Sequence, residues 1–136
     1  MFLNLLNEKE KRGFLTLAKE LMKADGIITD SESQVLSVYV NEMQISLAAS
    51  EENNQIEEVI ADIASSSTVE IKRIVYLELM ALALCDANYA KEEKLLLDHI
   101  AEKFNLSEDF KQSSVSLSDR YINSYISLVH LIQEGD

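Results

Sequence analysis

No proline interrupts this chain of 136 residues, and its apolar residues recur three and four apart almost from end to end. Proline breaks a helix outright, because it lacks an N–H and its ring clashes with the preceding turn. Without it, in a chain rich in Leu, Ala, Glu and Lys, only glycine, polar loops and capping residues are left to end a helix. There is no strict polar–apolar alternation and no hairpin dipeptide between apolar runs, so no strand is expected. Hydrophobic residues make up 47% of the chain, enough to exclude disorder by composition. The length suits one domain over residues 1–136.

The helices can be placed from their caps. Asn7 and Glu10 have the spacing of a capping box, in which each side chain bonds the other's backbone N–H. The helix they start presents Phe14, Leu17, Ala18 and Leu21 inward and ends near Asp25-Gly26. Thr29 and Glu32 form a second box, ahead of Val35, Leu36, Tyr39, Val40 and Met43. Ser50 is the expected cap of a third helix carrying Ile56, Val59, Ile60 and Ile63. After the polar loop Ser65 to Thr68, Thr68 caps a fourth helix over roughly Val69 to Cys85. From Ile74 onward that helix is apolar almost all round, so it belongs at the centre of the bundle. A fifth runs from about Lys91 to Phe104, with Leu96, Leu97, Ile100 and Phe104 inward.

Asn105-Leu106-Ser107 turns into a short sixth helix, and Ser116 or Ser118 caps a seventh. The reading is therefore all-α, a compact bundle of about seven helices. The last helix carries Tyr121, Ile122, Tyr125, Ile126, Leu128, Val129, Leu131 and Ile132, which cover more than one narrow stripe. Its excess apolar face calls for a cover: either Phe2, Leu3, Leu5 and Leu6, or a partner chain, which includes a second copy.

The formal net charge is −12. Such a surface repels phosphate backbones and anionic membranes, which excludes nucleic acid as the expected partner. It is compatible with metal cations, with basic partners, or with plain solubility. Cys85 is the only cysteine, so no internal disulfide forms. The opening Met1 to Leu6 has no basic segment and too short an apolar run for a signal peptide. Ile74 to Cys85 contains Glu78 and is too short to span a bilayer. The expected location is the cytoplasm, without membrane insertion.

One weak internal repeat is present. Leu21 to Met43 aligns with Leu82 to Phe104, pairing Asp25 with Asp86 and Glu32 with Glu93. Leu21 and Leu36 pair with Leu82 and Leu97, and apolar character agrees at five further positions. Each copy reads as a helix, an Asp at its end, a short loop, and a Glu in the next first turn. Packed as pseudo-symmetric halves, the copies would bring four carboxylates together, and a divalent cation would relieve their repulsion. Carboxylate oxygens suit calcium, magnesium or manganese. The plainer reading is that Glu32 and Glu93 favour helix N-termini and the two Asp residues form turns. The loop after Asp25 lacks the alternating acids of an EF-hand.

Leu17 to Ile28, with Glu32 following, resembles the first signature of the TerB-like domain, the tellurite-resistance family that also includes the N-terminal domain of certain DnaJ-like co-chaperones. Cys85-Asp86-Ala87-Asn88-Tyr89, with Glu92 and Glu93, is similar to its second signature. The resemblance covers roughly Phe14 to Leu106. It implies a helical bundle with internal pseudo-symmetry, no enzymatic activity, and an acidic metal cluster at Asp25, Glu32, Asp86 and Glu93. It also implies a part in tellurite or chemical-stress resistance and assembly with protein partners. The chain departs from the family at Ala87, where many members have glycine, at Ala90, which cannot cap, and at Ser31, opposite Glu92.

The remaining reactive side chains point to little chemistry. Neither His99 nor His130 has Glu three residues before it, as a dimetal bundle requires. His99, beside Asp98, reads as a surface residue, and Cys85 as a small core residue. No phosphate loop, nucleophile elbow or dinucleotide fingerprint is present. Three functional readings follow: a non-enzymatic metal-binding or stress-response domain, an acidic protein-interaction adaptor without metal, and, last, a carboxylate hydrolase.

Overall fold

The computed structural model describes residues 2–24, 30–44, 55–85 and 91–134; the side chains at 30–33, 35 and 85 lie outside that description. Among the described residues a 3₁₀ turn, Leu3–Leu5, leads into six α-helices: α1 Glu8–Lys23, α2 Asp30–Met43, α3 Ile56–Ser66, α4 Val69–Cys85, α5 Lys91–Lys103 and α6 Glu108–Glu134. Among the described residues there is no strand.

The caps explain most of these boundaries. Asn7 Oδ1 accepts from the Glu10 N–H at 2.8 Å, and Glu10 Oε1 accepts from the Asn7 N–H at 2.9 Å. Thr68 Oγ1 accepts from the Ile71 N–H at 3.2 Å, and Ser107 Oγ from the Phe110 N–H at 3.1 Å. Each such cap contributes about 1 kcal/mol by satisfying a donor that the helix leaves unpaired. Helix α5 closes on Asn105, whose φ of 57° is left-handed. The Leu106 N–H then reaches the Ala101 carbonyl at 2.9 Å, and the Asn105 N–H reaches Glu102 at 3.1 Å. This is the paired closure that a left-handed residue permits, and asparagine takes that conformation more readily than most.

Two boundaries differ from the sequence reading. Helix α3 starts at Ile56 behind Gln55, which makes no side-chain cap bond; Ser50, outside the described residues, is not its N-cap. The expected break before a seventh helix does not occur, because α6 runs unbroken from Glu108 to Glu134. Ser114 and Ser118 are buried within α6, and Ser114 Oγ donates to the Phe110 carbonyl at 2.8 Å. The caps expected from the sequence, Ser116 and Ser118, both fall inside this helix, Ser116 exposed and Ser118 buried. The second box at Thr29, the Asp25-Gly26 stop and the side chain of Cys85 lie outside the described residues.

Helix α4 occupies the centre, as its all-round apolar character requires. It packs against α1, α2, α5, α6 and the 3₁₀ turn. Val75, Tyr76, Leu79, Met80, Leu82 and Ala83 are buried around its circumference. Phe14 of α1 meets Tyr39 of α2 edge to face, with ring centroids 5.5 Å apart. The Tyr39 hydroxyl donates to the Glu78 carbonyl of α4 at 3.3 Å. Tyr76 and Phe110 hold α6 to α4 with centroids 5.9 Å apart, and Arg73 lies over the Phe110 ring. Gly13 lets α1 approach α3: a Cβ there would stand 3.1 Å from Ile63 Cδ1. Glycine in a helix costs about 1 kcal/mol relative to alanine, which close packing offsets here.

Leu3 and Leu6 are buried, with the 3₁₀ turn packed on α2 and α4. The N-terminal leucines are thus taken up by α2 and the middle of α4 rather than serving as the main cover of the last helix.

Phe14 is fully buried and links α1 to α2. Phe14→Ala is expected to lower unfolding free energy by about 3–5 kcal/mol, the usual cost of emptying an aromatic core site, measured by urea denaturation. A loss below about 1 kcal/mol would mean that the site is not close-packed.

Candidate functional site

The acids singled out in the sequence are only partly visible. Asp25 and Asp86 lie outside the described residues. Glu32 lies on α2, with its side chain outside the description. Glu93 is described: it sits in the first turn of α5 and is 3% exposed. Among the described residues no group of three or more His, Cys, Asp or Glu is placed to hold a metal ion.

The described polar chemistry lies elsewhere. Glu78 is buried in the middle of α4 at 5% exposure, and its Oε1 accepts from the Phe2 N–H at 3.2 Å. Removal from water pushes its carboxyl above the ordinary 4.5, with the Phe2 N–H bond opposing the rise. Burial likewise pushes the Tyr76 phenol up to about 12, helped by the charges of Asp98 and Glu108. Lys111 bridges those same two acids, at 3.1 Å to Asp98 and 3.4 Å to Glu108, and its ammonium is held above the usual lysine range by the bond to Asp98. This pair joins the start of α6 to α5.

His99 was read from the sequence as a surface residue. Its Nε2 lies 2.8 and 3.0 Å from the two carboxylate oxygens of Glu57, tying α5 to α3 across the surface. Nothing local in the sequence signals this pair, because the partners come from helices far apart in the chain. A groove of about 320 Å³ separates the start of α1 from the end of α3. There Ser67 Oγ donates to Glu10 Oε2 at 2.7 Å, so the acid that boxes α1 also ties it to the α3–α4 loop. These contacts read as structural ties between helices.

Among the described residues, most of the exposed large apolar side chains lie on α6. Its first half lies against α4, where Ser114 and Ser118 are buried. Beyond Ser118 no described residue of α6 is buried, and only Ile122 and Val129 are partly covered. Tyr121 is 52% exposed, Tyr125 60%, Leu128 57%, Leu131 66% and Ile132 79%. From Asp119 to Glu134 that is 16 residues without a buried side chain, about 24 Å of helix at 1.5 Å per residue.

Glu78 yields a pH dependence. A carboxyl raised in the folded state binds its proton more tightly there than in the unfolded chain. Its stabilising effect is fully present below 4.5 and is lost as pH rises through the raised folded value. In Glu78→Gln the amide oxygen keeps an acceptor for the Phe2 N–H but does not titrate. Wild type is therefore expected to lose stability relative to Glu78→Gln as pH rises through that window, by urea denaturation at a series of pH values. A flat difference would show that Glu78 is not raised.

The chain matches no family model, no curated protein and no solved structure.

Proposed function

We propose that this chain is a non-enzymatic cytoplasmic interaction module that docks a protein through the C-terminal half of α6. The exposure of Tyr121, Tyr125, Leu128, Leu131 and Ile132 along one helix carries this reading. Soluble monomers seldom expose contiguous apolar patches beyond a few hundred Å², and larger ones mark interaction sites. Tyrosine is also among the residues enriched at interface centres. No described helix is long and apolar enough to cross a membrane, and a surface of net charge −12 disfavours anionic lipid.

A photo-crosslinking residue placed at Tyr125 or at Ile132 in cells is expected to capture discrete protein species. The same residue at exposed Glu58 on α3 serves as the control. If α6 positions capture nothing beyond the Glu58 control, the docking reading fails.

The repeated acids Asp25, Glu32, Asp86 and Glu93 support a second reading. In it Asp25, Glu32, Asp86 and Glu93 hold calcium, magnesium or manganese, as the TerB-like resemblance implies, and the chain serves tellurite or chemical-stress resistance. Titration calorimetry with each ion is expected to give binding heat in wild type and a loss of at least tenfold in affinity in Asp25→Asn with Asp86→Asn, about 1.4 kcal/mol or more. Absence of heat in wild type, or equal affinity in the variant, rejects metal binding.

A further inference from the structure

The face that α6 lays on α4 and the face it leaves in water are one stripe. Ser114, Ser118, Tyr121, Tyr125, Leu128 and Ile132 are spaced alternately four and three apart, the seam of a helix that packs along another helix. The first two are buried, at 2% and 6%, and the last four are more than half exposed. Leu117 and Leu131 flank the seam on one side, Ile122 and Val129 on the other. The body covers the small end of the seam and stops; the large end lacks the helix its spacing calls for.

We infer that a second copy of this chain supplies that helix, the two α6 segments forming an antiparallel pair about a two-fold axis. The inference rests on the docking reading and names its partner. Charge selects the partner. Tyr121 to Gln133 contains no Asp, Glu, Lys or Arg, in a chain whose net charge is −12. This is where two copies can meet without opposing like charges. It offers a basic partner no acid to grip and a lipid headgroup no cation.

Side-chain volume selects the direction. The seam has tyrosine at Tyr121 and Tyr125 and aliphatic residues at Leu128 and Ile132. Antiparallel pairing sets Tyr121 against Ile132 of the other copy and Tyr125 against Leu128, giving layers of equal volume. Parallel pairing would stack tyrosine on tyrosine at one end and leave the other end thin, against close packing. Antiparallel pairing also sends the two acidic bodies to opposite ends of the pair, beyond a Debye length of about 8 Å.

The four exposed seam residues, Tyr121, Tyr125, Leu128 and Ile132, lie on a single helix, which suits a small reversible interface rather than an obligate one.

The test is the mass of the purified full-length protein by sedimentation equilibrium over a range of concentrations. The expected mass is twice the 15.4 kDa of one chain, falling toward one chain on dilution. Tyr125→Glu with Leu128→Glu is expected to halve the mass without changing helicity or melting, since both positions are exposed. Asn123→Glu with Ser127→Glu adds the same charge off the seam and is expected to remain a dimer. For direction, chains carrying Cys85→Ala with either Tyr125→Cys or Leu128→Cys are mixed. The 125–128 disulfide is expected to outpace both like-with-like disulfides.

A wild-type monomer at every concentration overturns the inference, as does a dimer indifferent to the seam charges. Binding as a monomer to phosphatidylcholine vesicles would overturn it in favour of a lipid surface. Faster like-with-like disulfides would overturn the antiparallel arrangement. A monomer that still crosslinks other proteins through Tyr125 in cells would leave docking standing and this partner rejected.

Discussion

Helix α4 is apolar on nearly every side, and each side must be kept from water. That single demand arranges the rest. One neighbour covers at most one stripe of a helix, so α1, α2, α5, α6 and the N-terminal 3₁₀ turn are all drawn to it. Each covering helix is amphipathic and brings one inward face, such as Phe14, Leu17, Ala18 and Leu21 on α1. The result is one connected core cluster and a surface left free to carry the acidic charge.

Polar groups taken inside are each given a partner. Glu78 receives the Phe2 N–H, and the Tyr39 hydroxyl reaches the Glu78 carbonyl. Ser114 bonds back to Phe110. Among the described residues no buried side-chain nitrogen or oxygen lacks a hydrogen-bond partner. These bonds add modest net stability, but leaving them unmade would cost about 1–3 kcal/mol each. They also fix geometry: the Glu78 bond ties the start of the chain to the central helix.

Helix α6 is where the demand for cover is met only halfway. Its length follows from local chemistry, with a Ser107 cap, no proline and no glycine before Gly135. Its packing depends on α4, which is shorter. Past that limit the same stripe continues with larger apolar side chains into solvent, so the fold itself creates the surface on which the functional reading rests. The acidic repeat, by contrast, is visible as a pattern but not as a place. Of its four acids only the side chain of Glu93 is described, and it is buried in the first turn of α5.

Helix class, the capping box at Asn7 and Glu10, the Thr68 cap, the turn at Asn105 and the central position of α4 were all legible in residue order. They are set by interactions within a few residues, or by the spacing of one face. The continuity of α6 was not legible, because a serine that caps a helix and a serine inside one, such as Ser116 or Ser118, look alike in residue order. Nor was the His99–Glu57 tie, or the use of Leu3 and Leu6 to seal α4: those contacts join residues that only three-dimensional packing makes neighbours. Residue order specified which faces must be hidden. How far each is hidden depended on the relative lengths and placement of packed helices, a property of the assembled body and of no local segment.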